Sequence, residues 1–77
     1  MEKLSDSLIK AAILTCQAQI ESSKAKIALY TTTPTGVAEH PDIVEEILSA
    51  AESGAAAQEK LDFLSSVSPR AAFLIKQ

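Results

Sequence analysis

Two apolar ladders with a seven-residue repeat constrain the fold of this chain more than any other feature of its sequence. Each ladder steps alternately by four and three residues, the spacing that places side chains along one face of an α-helix. Because a helix with one apolar face buries that face against another element, the ladders predict an all-α fold built on an antiparallel two-helix hairpin. The first ladder comprises Ile9, Ile13, Cys16, Ile20, Ser23, Ile27 and Tyr30, and the second comprises Ile43, Ile47, Ala50, Gly54, Ala57, Leu61 and Leu64.

Local signals set the bounds of the first helix. Ser5 is suited to the N-cap position, and Asp6 would follow it at the positive end of the helix dipole. Pro34 disfavours helical backbone in the residue before it. The first helix is therefore predicted over about residues 5–31, and a loop is predicted over residues 32–40.

Proline also marks the start of the next two helices. Pro41 suits a first helical position, where its missing N–H costs nothing, so the second helix is predicted over about residues 41–66. Ser68 followed by Pro69 repeats this start signal and predicts a short C-terminal helix over about residues 69–75.

The two ladders share one register when the chain folds back near residues 36–37. This register pairs Ile13 with Leu61 and Ile20 with Gly54. Small residues in the middle of the second ladder would let the two backbones approach closely, so we expect Ile20 to pack over Gly54. The alternative is a Gly54 that is merely tolerated in a frayed or kinked helix, since glycine costs about 1 kcal/mol relative to alanine in a helix interior.

Length and composition predict a single helical domain spanning residues 1–77 with a thin core. A chain of this size buries only about 60% of the surface that it exposes when unfolded. Although 47% of the residues are apolar, only two Phe and one Tyr supply large aromatic surface. We therefore expect the chain to need association for its stability.

Charge and residue usage exclude several functional classes. A net charge of −3 disfavours nucleic-acid binding, which depends on Lys and Arg. One Cys and one His make a disulfide framework or a zinc site within one chain implausible. No run approaches the ~20 apolar residues of a membrane span. We therefore predict a cytoplasmic protein with no cofactor, no metal, no nucleic-acid partner and no membrane partner.

The outer faces of the two long helices differ. Glu45, Glu52 and Glu59 give the second helix an acidic face that is typical of solvated surface. The first helix is apolar opposite its ladder as well, and therefore needs a second set of neighbours. Residues 71–75 are candidates to cover part of this face, and a second hairpin could cover the rest, which predicts a four-helix-bundle homodimer. The opposite face carries Leu4, Leu8, Ala11, Leu14, Ala18, Ala25 and Leu29.

No residue pattern predicts catalysis. Cys16 lies on the first ladder, where a thiol behaves as a small hydrophobic group, and the only histidine lies in the distant loop. Acidic residues around His40 could in principle bind a divalent cation. They lack a recognised ligand spacing, however, and the helix dipole explains the acids of the first turn. We predict no catalytic, cofactor-binding or metal-binding residue.

The loop is the candidate partner-binding site. It is longer than a minimal helix connection, and loops on rigid scaffolds often carry function. Its candidate partner-binding residues are Val37, Glu39 and His40. A purely structural role in closing the hairpin is the alternative.

The segment from residue 30 to residue 47 resembles a known group of sequences. It contains a Gly36-Val37 step, a His40-Pro41 pair and an Ile-Val-Glu-Glu-Ile run over residues 43–47. These features resemble the central segment of small uncharacterised proteins encoded by T4-like marine phages, cyanophages among them. The resemblance covers about a quarter of the chain. It implies a phage or phage-infected bacterial setting and supplies no catalytic residues.

Together these features predict a small non-enzymatic helical interaction or regulatory protein that forms a homodimer and binds an unknown protein partner. The alternative is a structural or accessory subunit of a larger assembly, such as a virion component or a helper chain of an enzyme complex. An enzyme is not predicted, because the chain brings no nucleophile, base and orienting group within reach of one another.

Overall fold

The computed structural model describes residues 3–32 and 42–77 of the chain. Within these ranges it contains three α-helices and no strand: α1 spans Leu4–Thr32, α2 spans Ile43–Val67 and α3 spans Pro69–Ile75. Ile13 near the start of α1 shares a core with Leu61 near the end of α2, so the two long helices are antiparallel. The predicted all-α hairpin with a short C-terminal helix is confirmed.

The first helix extends one residue beyond its predicted bounds at each end. The N–H of Ser7 donates to the carbonyl of Lys3 at 3.1 Å, and Ser5 therefore lies inside the first turn rather than at the N-cap. At the other end the predicted helix-ending threonines remain helical, and their hydroxyls donate to backbone carbonyls of the preceding turn. The Oγ1 of Thr31 donates to the carbonyl of Ile27 at 2.9 Å. The Oγ1 of Thr32 donates to the carbonyl of residue 28 at 2.6 Å.

The start of α2 differs from the sequence prediction by two residues. The helix begins at Ile43 and is preceded by Asp42, whose side chain makes no capping hydrogen bond. Pro41, the predicted first residue, lies outside the described residues. Glu45 and Glu46 occupy the first turn of α2, where their charges are favourable at the positive end of the helix dipole.

The predicted bounds of α3 are confirmed. Ser68 caps the helix by accepting a hydrogen bond from the N–H of Ala71 at 3.1 Å, and Pro69 occupies the first turn. Proline fits the first turn because the N–H groups there have no acceptor within the helix, so the absence of one costs nothing. A cap and a proline thus define a helix that is only seven residues long.

The ladders form the interface between α1 and α2. Every member of both ladders is buried or half-buried, and within the described residues the only buried residue outside the ladders is Ala71 of α3. The hydrophobic core itself is small. It consists of Ile13, Cys16, Ala57, Leu61 and Ala71.

Helix α3 packs against its own hairpin at the end where α1 begins and α2 finishes. Ala71 is fully buried in the core, and Leu74 and Ile75 pack against it. Phe73 points away from this core and remains 54% exposed. The C-terminal segment thus extends the ladder core and leaves most of the second apolar face of α1 uncovered.

Candidate interaction surface

The residues predicted to bind a partner belong to the loop between the two long helices. Val37, Glu39 and His40 lie outside the described residues, and their role in partner binding stays a prediction. Glu45 and Glu46 are described and are exposed in the first turn of α2. Among the residues that the structure describes, no group of three Cys, His, Asp or Glu side chains is arranged to hold a metal ion.

Cys16 lies on the seam between the two long helices. This free cysteine is 8% exposed, and it packs in the core with Ile13, Ala57 and Leu61. This confirms the predicted burial of the cysteine. A thiol surrounded by apolar side chains acts as a small packing group, since reactive thiols occupy electropositive and partly exposed surroundings.

The middle of the seam is a close approach between the two backbones. A Cβ placed on Gly54 would lie 3.0 Å from the Cβ of Ser23 and 3.3 Å from its Oγ. The close approach predicted at Gly54 is therefore present, but the neighbouring residue is Ser23 rather than Ile20. Ser23 is 3% exposed, and its Oγ accepts a hydrogen bond from the Nε2 of Gln19 at 3.2 Å, so its buried hydroxyl has a partner.

Large apolar side chains remain exposed on all three helices. A soluble domain rarely exposes contiguous apolar surface unless that surface binds something. On α1 the residues predicted to need a second neighbour are indeed uncovered, and α2 and α3 add five more. The exposed residues are Leu4, Leu8, Leu14, Leu29, Val44, Leu48, Phe63, Val67 and Phe73, each more than half exposed.

One side of the hairpin carries a groove between α1 and α2, which we call the Phe63 groove. It has a volume of about 660 Å³. Ala12 and Ala56 contribute small side chains to its lining. Phe63, a residue that is 67% exposed, contributes an aromatic ring. Glu59 and Lys60 place one negative and one positive charge in the same lining. The groove is thus apolar, electrically balanced and open.

A second depression lies between α1 and α3. It has a volume of about 520 Å³, and its lining includes Leu14 and Phe73. Of the described residues, none lines both this cavity and the Phe63 groove. The described part of the hairpin therefore presents an apolar groove and a separate cavity of mixed polarity, whose lining also includes Lys10, Gln17 and Arg70.

An ion pair ties α3 to the first turn of α1 beside this second cavity. The Nη2 and Nε of Arg70 both donate to Oδ2 of Asp6, at 3.0 Å and 3.2 Å. The guanidinium also lies 5.2 Å from the ring centroid of Phe73, a distance at which the cation attracts the ring face. Arg70 thus links α3 to the start of α1.

Two parts of this surface were not apparent from the sequence. The acidic face predicted for α2 is present, since Glu45, Glu52 and Glu59 are all exposed. The same helix also exposes Val44 and Phe63, however, and nothing in its heptad pattern indicates whether such flanking residues are covered. The partners of the Arg70 ion pair are 64 residues apart, so their contact depends on where α3 packs.

Comparison of the chain with protein-family models, with curated protein sequences and with solved structures finds no match. Among the described residues, neither long helix combines the length and the apolar run needed to cross a bilayer.

Proposed function

We propose that this chain is a small non-enzymatic interaction or regulatory protein that works as a homodimer. The observation that carries the proposal is an imbalance between exposed and buried apolar side chains. Nine large apolar side chains are more than half exposed, whereas Ile13 and Leu61 are the only large aliphatic side chains buried within residues 3–32 and 42–77. Removal of apolar surface from water drives both folding and association, so a partner that covers these faces would stabilise the hairpin.

A second hairpin is the partner that fits this architecture most simply. Two antiparallel helix pairs that pack side by side form a four-helix bundle, in which each long helix gains a second neighbour. Most soluble oligomers are dimers with two-fold symmetry, which need only one self-complementary surface. A four-helix-bundle homodimer therefore supplies the second neighbour that the first helix lacks.

The proposed setting is the cytoplasm of a phage-infected bacterium. The resemblance of residues 30–47 to proteins of T4-like marine phages supports this setting. A net charge of −3 argues against nucleic acid as a partner. A non-enzymatic role is supported by Cys16, whose thiol packs among apolar side chains of the core. The loop residues Val37, Glu39 and His40 remain the candidates for contact with a further protein.

A structural or accessory subunit of a larger assembly, such as a virion component or a helper chain of an enzyme complex, is the second candidate. One observation favours it: three of the nine exposed apolar residues line two separate depressions. Phe63 lines the groove between α1 and α2, whereas Leu14 and Phe73 line the cavity between α1 and α3. A single dimer contact at one depression leaves the other for a different chain.

Sedimentation equilibrium across the micromolar range tests the proposal. We expect a mass of twice the 8.1 kDa of one chain and a melting temperature that rises with protein concentration, because association stabilises the folded state by mass action. A well-folded monomer at every concentration would overturn the homodimer. Masses that grow beyond the dimer as concentration rises would favour the accessory subunit instead.

A further inference from the structure

We infer that the Phe63 groove binds the same groove of a second copy of this chain about a two-fold axis. In this arrangement the Phe63 ring of each copy enters the groove of the other, and Glu59 of each copy faces Lys60 of the other. The inference rests on the proposed homodimer and specifies which surface forms it. Of the nine exposed apolar residues, Phe63 lines this groove, whereas the exposed leucines of α1 lie outside it.

The first argument is that the groove has both a projecting side chain and a space that could receive one. A two-fold interface uses the same patch on both copies, so one patch must supply a projecting side chain and a space that receives it. Phe63 projects, since the residue is 67% exposed although it lines the groove. The alanine side chains at residues 12 and 56 leave space on the two opposing helices for an incoming ring.

The second argument is the charge of the groove. Among the described residues that line it, only Glu59 and Lys60 are charged, and they are adjacent in the sequence with opposite signs. Neither makes an ion pair with another described residue. A two-fold axis places Glu59 of each copy beside Lys60 of the other. All four charges are then paired. A strongly acidic or basic partner would leave one of the two signs unmatched or repelled.

The third argument is the position of these residues on α2. Residues three and four apart on a helix are neighbours on its surface, so Lys60 and Glu59 both lie beside Phe63, one turn before it. An aromatic anchor beside charges at the edge of the contact is the usual arrangement of an interface, in which the aromatic side chain contributes most of the affinity and the charges select the partner.

A charge exchange tests this arrangement. In Glu59→Lys both copies carry two bases at the contact, and in Lys60→Glu both carry two acids, so each variant repels itself. An equimolar mixture of the two variants restores opposite charges across the axis. We expect each single variant to dimerise at least about tenfold more weakly than wild type, and the mixture to form a heterodimer with nearly wild-type affinity. Sedimentation velocity with one variant fluorescently labelled measures all three affinities.

The aromatic anchor is tested separately. Phe63→Ala should weaken dimerisation by about tenfold or more while leaving the helical circular dichroism of the monomer unchanged, because the ring is mostly exposed. Phe73→Ala removes an exposed ring that lies outside the groove, and Glu52→Lys changes an exposed charge of the same helix outside the groove. Both controls should dimerise within about twofold of wild type.

The outcomes separate this inference from the proposed function. Restored affinity in the mixture, with intact controls, supports the groove-to-groove contact. A wild-type dimer whose affinity is unaffected by Phe63→Ala, or whose charge variants do not recover on mixing, would overturn the inference and leave the homodimer standing. A wild-type chain that stays monomeric would overturn both.

Discussion

The two ends of the hairpin carry the same ladder pattern and are buried to different extents. At the end where α3 packs, Ile13 and Leu61 are 4% and 5% exposed. At the other end, Ile27 and Ile47 occupy equivalent ladder positions and are only half-buried. The difference arises because two helices enclose small side chains such as Ser23 but not large aliphatic ones, and α3 adds a third layer at one end.

The middle of the hairpin differs from both ends. There the seam is made of small residues, so the backbones approach until a Cβ on Gly54 would meet Ser23 at 3.0 Å. Close packing of small groups replaces burial of large ones. A heptad pattern thus specifies which face of a helix lies inward, whereas the depth of burial depends on the size of the residues and on what covers the seam.

The largest expected effect distinguishes the two ends. Ile13→Ala should lower the free energy of unfolding by about 2 to 5 kcal/mol, because it leaves a cavity in the core beneath α3. Ile27→Ala removes the same atoms from the same ladder at a half-buried site, where the loss should be about half as large. Urea denaturation at one fixed protein concentration measures both values.

Equal losses for the two variants would show that α3 contributes no extra burial at its end of the hairpin. If Ile13→Ala does not fold, the milder pair Ile13→Val and Ile27→Val makes the same comparison, with a loss of about 0.5 to 1.5 kcal/mol expected at residue 13. A larger loss of unfolding free energy at residue 13 than at residue 27 would support the deeper burial of the end that α3 covers.

The sequence was sufficient to predict the helices, the inward faces and the third helix. Periodicity identifies the face of a helix that packs, and a Ser68 cap followed by Pro69 identifies where a helix begins. The helix ends were less predictable. Thr31 and Thr32 can end a helix or bond back to it, and here they bond back.

The contacts of the candidate surface were less predictable still. Pairing along straight ladders placed Ile20 opposite Gly54, whereas the nearest side chain is Ser23, one ladder step away. Side chains of packed helices interdigitate instead of meeting head-on, so a sequence register is accurate only to about one such step. Exposure of Phe63 depends on which flank of the hairpin α3 covers, and the ladders do not encode that choice.

The middle of the seam is tested by overpacking. Gly54→Leu should lower the free energy of unfolding by about 1 to 3 kcal/mol, because the added side chain meets the backbone-anchored Cβ of Ser23, although better helix propensity offsets part of the loss. Ala55→Leu adds a leucine at the neighbouring exposed position and should change stability by at most about 0.5 kcal/mol. Thermal melts followed by circular dichroism compare the two. A Gly54→Leu protein that melts above wild type would mean that the backbones do not approach closely at this point.

The smallest expected effect concerns the ion pair that ties α3 to α1. Arg70 and Asp6 are 49% and 19% exposed in their side chains, so solvent screens much of their attraction. A double-mutant cycle with Arg70→Gln and Asp6→Asn should give a coupling of about 0.5 to 1 kcal/mol that shrinks as salt is raised from about 0.1 M to about 1 M. Lys24 and Glu21 form a 3.4 Å pair within α1 and serve as the control, with a coupling of at most about 0.5 kcal/mol.

Since Arg70 also stacks on Phe73, a cycle between Arg70→Gln and Phe73→Leu separates the ring contact from the charge pair. A coupling of zero between Arg70 and Asp6 would mean that Ala71, Leu74 and Ile75 hold α3 in place without help from the ion pair.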